Sequence, residues 1–103
     1  MTIYLFTTTD PEGRTAQLSE DCYRFHILIE HPDITSAAEI ALAIEAPDII
    51  AEDAIDSKRL IYYRTYRRRP QRWMLKVVVG RGEVVTAYRV TRIKQGEMVL
   101  WQR

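Results

Sequence analysis

Apolar residues recur at helical spacing in the first half of the chain and alternate or run together in the second. Leu18, Cys22, Phe25 and Ile29 fall at i, i+4, i+7 and i+11. That is one face of a 3.6-residue period, and it predicts a helix over Ser19 to Glu30. Ser19 can cap this helix, and Glu20 and Asp21 suit the positive end of its dipole. The apolar density of Tyr23 to Ile29 leaves a strand as the competing reading. His31-Pro32 closes the segment, because the residue before a proline avoids the α region. Ser36 to Ala46 predicts a second helix. Ser36-Ala37-Ala38-Glu39 is a capping box, Ile40 and Ile44 stand four apart, and Pro47-Asp48 stops it.

Thr2 to Thr8 is β-prone and predicts a first strand, followed by turn chemistry at Asp10-Pro11-Glu12-Gly13. Leu60 to Tyr66 alternates, Trp73 to Val79 is nearly continuous, and Glu83 to Ile93 is long and alternating. Gly80-Arg81-Gly82 marks a tight hairpin between the last two. Gln95-Gly96 is a further turn, leaving Met98 to Trp101 as a short closing strand. Arg67 to Arg72 reads as a basic, proline-containing loop. Short connections between neighbouring strands imply antiparallel pairing. The expected architecture is a single α+β domain over residues 1–103. Two N-terminal helices pack in it on a three- to five-stranded antiparallel sheet.

A length of 103 residues suits one domain, and such a chain can bury a core without metal or disulfide staples. Cys22 is the single cysteine, so no internal disulfide and no cysteine zinc cluster forms. Met1 to Phe6 is short and lacks the basic region of a signal peptide, and no apolar run spans a bilayer. These features read as a cytoplasmic protein with no membrane partner. Charge changes the picture more. Met1 to Ser57 holds two basic and twelve acidic residues, a net of −10, and Lys58 to Arg103 holds thirteen basic and two acidic, a net of +11. Such a split predicts a polyanion-binding face or acidic helices paired with a basic sheet, and both can hold.

Chemistry can rest on few residues. His26 and His31 are the only histidines. At i, i+5 they point about 140° apart on a helix, not the i, i+4 spacing of a zinc pair. No metal and no other cofactor is expected. A histidine can move a proton near neutral pH, or simply hydrogen-bond at a boundary. Tyr62, Tyr63, Arg64 and Tyr66 mix bases with aromatic rings, which suits phosphate pairing and base stacking; the alternative is that the tyrosines cover the core. By the period of two, Thr86, Tyr88, Val90 and Arg92 share one face of the long strand, with Lys94 at its end and Lys76 on the neighbouring strand. Such a row can hold a phosphate or can be an ordinary solvated stripe. Cys22, on the inferred apolar face, reads as packed rather than nucleophilic.

These residues together resemble a known pattern. It runs through His26-Ile27, His31-Pro32-Asp33, Pro47-Asp48-Ile49-Ile50, Tyr62-Tyr63-Arg64, Lys76-Val77-Val78-Val79, Val85-Thr86-Ala87-Tyr88 and Ile93-Lys94, and closes with Gly96-Glu97 and Leu100-Trp101. The pattern looks like a small phage- and bacteria-associated domain family grouped with the barnase–EndoU–colicin–RelE superfamily of RNases, and covers roughly Cys22 to Trp101. The resemblance implies a helix pair on a four-stranded antiparallel sheet and metal-independent RNA cleavage by attack of the ribose 2′-hydroxyl. It implies His26 as general base or acid with His31 second to it, Arg64 and Lys94 on the phosphate, and Thr86 and Tyr88 lining the site. RelE-type toxins are basic overall, and this chain is nearly neutral.

The leading expectation is thus an RNase-like domain with His26, Thr86 and Tyr88 catalytic and His31, Tyr63, Arg64, Arg92 and Lys94 on the RNA. Its first rival is a noncatalytic RNA-binding module using the same basic sheet. A second is an interaction protein whose acidic helices meet the basic sheet of another copy as a homo-oligomer. A toxic domain would also imply a cognate inhibitor protein.

Overall fold

Asp10-Pro11-Glu12-Gly13 turns the chain early, and what precedes and follows it is β-structure. A computed structural model describes residues 1–34, 36–68 and 71–103. Strand β1 (Tyr4–Thr9) folds back on β2 (Thr15–Ser19) through this turn. The Asp10 carboxylate accepts the amides of Glu12 at 2.8 Å and Arg14 at 2.9 Å, and Gly13 takes φ +89°, where a side chain would be strained. Asp10 is buried, and its second oxygen accepts the Tyr62 hydroxyl at 2.6 Å. That bond ties the turn to the centre of the sheet.

A helical segment follows: α1 (Glu20–Cys22), a π turn (Tyr23–Ile27) and α2 (Leu28–Glu30). Ser19 Oγ accepts the Cys22 amide at 3.1 Å, so the predicted cap is present. The predicted apolar face is present only in its first half, where Leu18 is buried and Cys22 packs against the core. A π turn carries an extra residue and rotates everything after it. Ile27 is buried, whereas Phe25 is 70% and Ile29 67% exposed. Helix α3 (Ala37–Glu45) starts at Ser36, whose Oγ accepts the Glu39 amide, and buries Ile40, Ala43 and Ile44.

Then come β3 (Ile49–Glu52), β4 (Arg59–Arg68), β5 (Gln71–Gly80), β6 (Glu83–Val90) and β7 (Met98–Gln102). Arg81 and Gly82 both take positive φ, +53° and +77°, in the two-residue turn between β5 and β6. This is the backbone that matches the twist of a hairpin. Of the predicted loop over Arg67 to Arg72, Arg67 lies on β4 and Arg72 on β5, and Arg69 and Pro70 lie outside the described residues.

All seven strands join one curled sheet in the order β1-β2-β6-β5-β4-β3-β7. This corrects the expected fold, in which two N-terminal helices pack on three to five strands. A β-hairpin precedes the helices, and every helix is short. Strands β2 and β3 were not expected. At five and four residues each is too short to show a period; β2 is the return arm of the hairpin with β1, and β3 forms between β4 and the distant β7. Nor is the sheet wholly antiparallel, since β2 meets β6 in parallel at Gln17 and Glu83. Beyond Glu83 the helical segment packs along the β6 edge, and the Cys22 thiol donates to the carbonyls of Val84 and Val85 at 3.2 and 3.5 Å.

The two faces of the sheet are filled differently. On the helix side Leu18, Ile27, Ile34, Ile40, Ile44, Ile50, Tyr62, Leu75, Val77 and Ala87 make one apolar core. On the other side a smaller cluster of Ala51, Ile61, Tyr63 and Val78 lies against Ile49, Met74, Val90 and Ile93. No helix of the described residues is long and apolar enough to cross a membrane.

Candidate functional site

The face away from the helices carries the polar chemistry. Lys76 is paired in register with Tyr63 on β4 and Tyr88 on β6, so the three side chains share this face. The loop between β6 and β7 returns across them and delivers Glu97. Lys76 Nζ and Glu97 Oε2 stand 2.8 Å apart, with the side chains 5% and 0% exposed. The other Glu97 oxygen accepts the Tyr63 hydroxyl in a short hydrogen bond, and that hydroxyl accepts the Lys94 amide at 3.4 Å. The ammonium also lies 5.6 Å from the ring centres of both Tyr63 and Tyr88.

Its surroundings keep the Lys76 ammonium charged. Burial opposes the Lys76 charge, but the bond to Glu97 and the neighbouring tyrosines outweigh it, and the lysine pKa is raised. Burial, reinforced by donation to Glu97, pushes the Tyr63 phenol up to about 12. Buried ion pairs persist where further hydrogen bonds complete them, as Tyr63 does here.

On one side of this pinned loop, a hollow of about 230 Å³ is lined by Arg59, Ile61, Lys76, Thr86, Tyr88 and Lys94. Thr86 Oγ1 is buried and has no hydrogen-bond partner among the described residues. On the other side, a groove of about 900 Å³ is lined by Thr65, Arg67, Arg72, Met74, Ile93 and Arg103, with Asp48 at its margin. Asp48 accepts the Thr65 amide at 2.6 Å and lies 3.6 Å from Arg103. Arg67 and Arg72 have no carboxylate within 4.0 Å among the described residues. Beyond Tyr63 and Met74, β4 and β5 pair only with each other, so these arginines ride on a projecting two-stranded ribbon.

The predicted site residues divide accordingly. Tyr63, Thr86, Tyr88 and Lys94 come together around Lys76. His31 joins them from the end of the helical segment, its ring stacked on Tyr88 at 5.1 Å. His26 has its polar partner on its own helix turn, Glu30 at 3.5 Å. Arg64 lies on the helix side, where Nη1 donates to the Ala46 carbonyl at 2.6 Å. Arg92 lies beyond the end of β6 and is exposed, so the expected row stops at Val90. Tyr62 and Tyr63 are buried in the two cores and present no stacking platform. Among the described residues, no group of three or more His, Cys, Asp or Glu side chains is placed to hold a metal ion.

Sequence reasoning missed the Lys76–Glu97 pair and the groove of Arg67, Arg72 and Arg103. The first had a signal: Lys76 is the lone charge inside the apolar run Trp73 to Val79, and Glu97 is one of only two acids in the basic half. The two possible meanings of the charge split also separate. Of the thirteen basic residues after Ser57, three pair with first-half acids among the described residues: Arg59 with Asp56, Arg89 with Asp33 and Arg103 with Asp48. Lys76 pairs with Glu97, and Lys58, Arg64, Arg67, Arg72, Arg81, Arg92 and Lys94 have no carboxylate within 4.0 Å among the described residues.

Comparison with family models, curated proteins and solved structures finds no match. The likeness to the RNase superfamily therefore rests on the short sequence motifs alone.

Proposed function

We propose that this chain is a noncatalytic RNA-binding module that holds the phosphate backbone of a single strand in the groove beside the β4–β5 ribbon. The observation that supports this reading most is the set of Arg67, Arg72 and Arg103 around one groove whose single acid, Asp48, is already engaged. Guanidinium groups pair with phosphate oxygens and stay charged at any working pH. Binding of this kind is salt-sensitive and indifferent to sequence. The buried tyrosines argue against base stacking on Tyr62 and Tyr63. The imidazole stacked on Tyr88 is that of His31, while His26 lies 3.5 Å from Glu30 on its own helix turn, which argues against the expected proton transfer from His26.

Fluorescence anisotropy of a labelled single-stranded RNA tests the reading. Wild type binds, and affinity falls linearly with the logarithm of salt concentration. Each arginine removed, in Arg67→Ala and Arg72→Ala, lowers that slope by about 0.7. Equal binding by wild type and the double variant contradicts the proposal. The same RNA incubated with EDTA stays intact; 2′,3′-cyclic phosphate ends that vanish in His31→Ala would restore cleavage in its place.

A further inference from the structure

Sheets end in edges, and the two edges here differ. Strand β1 carries three threonines and has helix α3 against it; Tyr4 donates to Glu83 at 2.8 Å and Thr8 to Glu45 at 2.5 Å, while Leu5 is 42% exposed. Strand β7 pairs with β3 on one side and with nothing on the other among the described residues. It reads Met-Val-Leu-Trp-Gln, with no charge and no proline, and Met98, Val99 and Leu100 are 57%, 46% and 40% exposed. Ile55, 86% exposed, belongs to the loop that meets the chain at Gly96, next to this strand. Proteins usually blunt an edge with lysine, proline or a covering element, because unpaired backbone groups and apolar side chains together template another strand. Only a bulge at Leu100 blunts this one.

We propose that β7 is a self-association edge, and that two copies of this chain pair their β7 strands antiparallel across a two-fold axis. Charge identifies the partner as a second copy. The Met98 end of β7 lies beside Glu52, with Asp53 following, and neither has a cation within 4.0 Å among the described residues, whereas Asp56 is taken up by Arg59. The Gln102 end lies at the groove of Arg67, Arg72 and Arg103. Antiparallel pairing brings the acidic end of each copy to the basic end of the other, twice, through one self-complementary surface. Parallel pairing would set like charges together. The inference rests on the strand edge and the placement of charge; it shares Arg67, Arg72 and Arg103 with the proposed RNA groove and is therefore tested without RNA.

Sedimentation equilibrium without RNA tests it. Wild type is expected to be a dimer at low salt and to dissociate as salt rises, because the end-to-end charges are screened. Leu100→Lys, at the exposed bulge, raises the dimer dissociation constant at least about tenfold. Ile29→Lys, on the exposed side of α2, leaves it unchanged. Circular dichroism confirms that both variants fold. Hydrogen exchange on wild type needs no variant: β7 amides become protected as protein concentration rises. A monomer at every concentration overturns the proposal. So does a dimer that survives Leu100→Lys, or a ladder of larger species, which would mean β7 pairing with β1 of the next copy.

Discussion

One sheet separates two interiors that are held together by different forces. On the helix side, α3 and the helical segment lay Ile27, Ile40 and Ile44 on Leu75, Val77 and Tyr62, and stability there comes from apolar area removed from water. On the other side no helix covers the strands. The loop before β7 does so instead, and what pins it is one carboxylate, Glu97, reaching a buried ammonium and a buried phenol. An apolar interior tolerates exchange of one aliphatic residue for another of like volume. An ionic one fails when a single partner is lost, because the other charge is left buried and alone.

The largest effect should follow from breaking the ionic side. Glu97→Ala is expected to cost about 3–5 kcal/mol of unfolding free energy, read by denaturant titration. The double variant Lys76→Met with Glu97→Leu should recover most of this, since apolar replacement of a buried pair is often neutral or stabilising. If the double variant is as unstable as the single, the loop is held by something other than charge.

Next comes the apolar side. Ile44→Ala should cost about 2–5 kcal/mol, according to how far α3 settles into the space left behind. Unlike Glu97→Ala, it should leave the chemical shifts around Tyr63 and Tyr88 unchanged.

Alkaline pH loosens the ionic side without mutation. The folded Tyr63 phenol holds its proton up to about 12, and the unfolded one releases it near 10. Stability therefore falls as pH rises through that window. The raised Lys76 pKa acts in the same sense: its contribution is complete below the ordinary lysine value and is lost above it. Tyr63→Phe should flatten the alkaline loss in a series of thermal melts, though not abolish it, because the Tyr62 phenol is raised too.

Tyr62→Phe tests the link between the helix-side core and the β1–β2 turn and should cost about 1–3 kcal/mol. Asp10 accepts bonds from Tyr62, Arg14 and the Glu12 amide, and these outweigh its burial and lower its pKa. The stability it contributes is present above the ordinary carboxylate value and lost as pH falls through the lowered one. In the variant that acid-side loss should be smaller.

What could be read from the sequence follows the range of the interactions. The α3 cap, the two-residue turn after Gly80 and the long strands β4, β5 and β6 are written in local chemistry, and the structure has them. Strands β2 and β3 are not, because five and four residues are too few to show an alternation and become strands only by pairing, β2 with β1 across the Asp10–Gly13 turn and β3 between β4 and β7. The rotated face of the helical segment depends on a π turn that no spacing announces; Phe25 and Ile29 obey the period and still face solvent. In the site, period-two reasoning put Thr86 and Tyr88 on one face and placed them correctly beside Lys76. It puts Tyr62 and Arg64 on one face and Tyr63 on the other, but could not tell that both faces are covered, so that both tyrosines are buried and Arg64 meets the helix side. Alternation separates the faces of a strand without saying which of them is covered.

RNA is proposed to lie in the arginine groove on the loop side of the sheet, and amide chemical-shift mapping during titration with single-stranded RNA tests this directly. Shifts should be confined to Thr65–Arg67, Arg72–Met74, Thr91–Ile93 and Arg103, and should fade as salt is raised. Shifts centred on α3 and the helical segment, or none at concentrations where anisotropy reports binding, would contradict it.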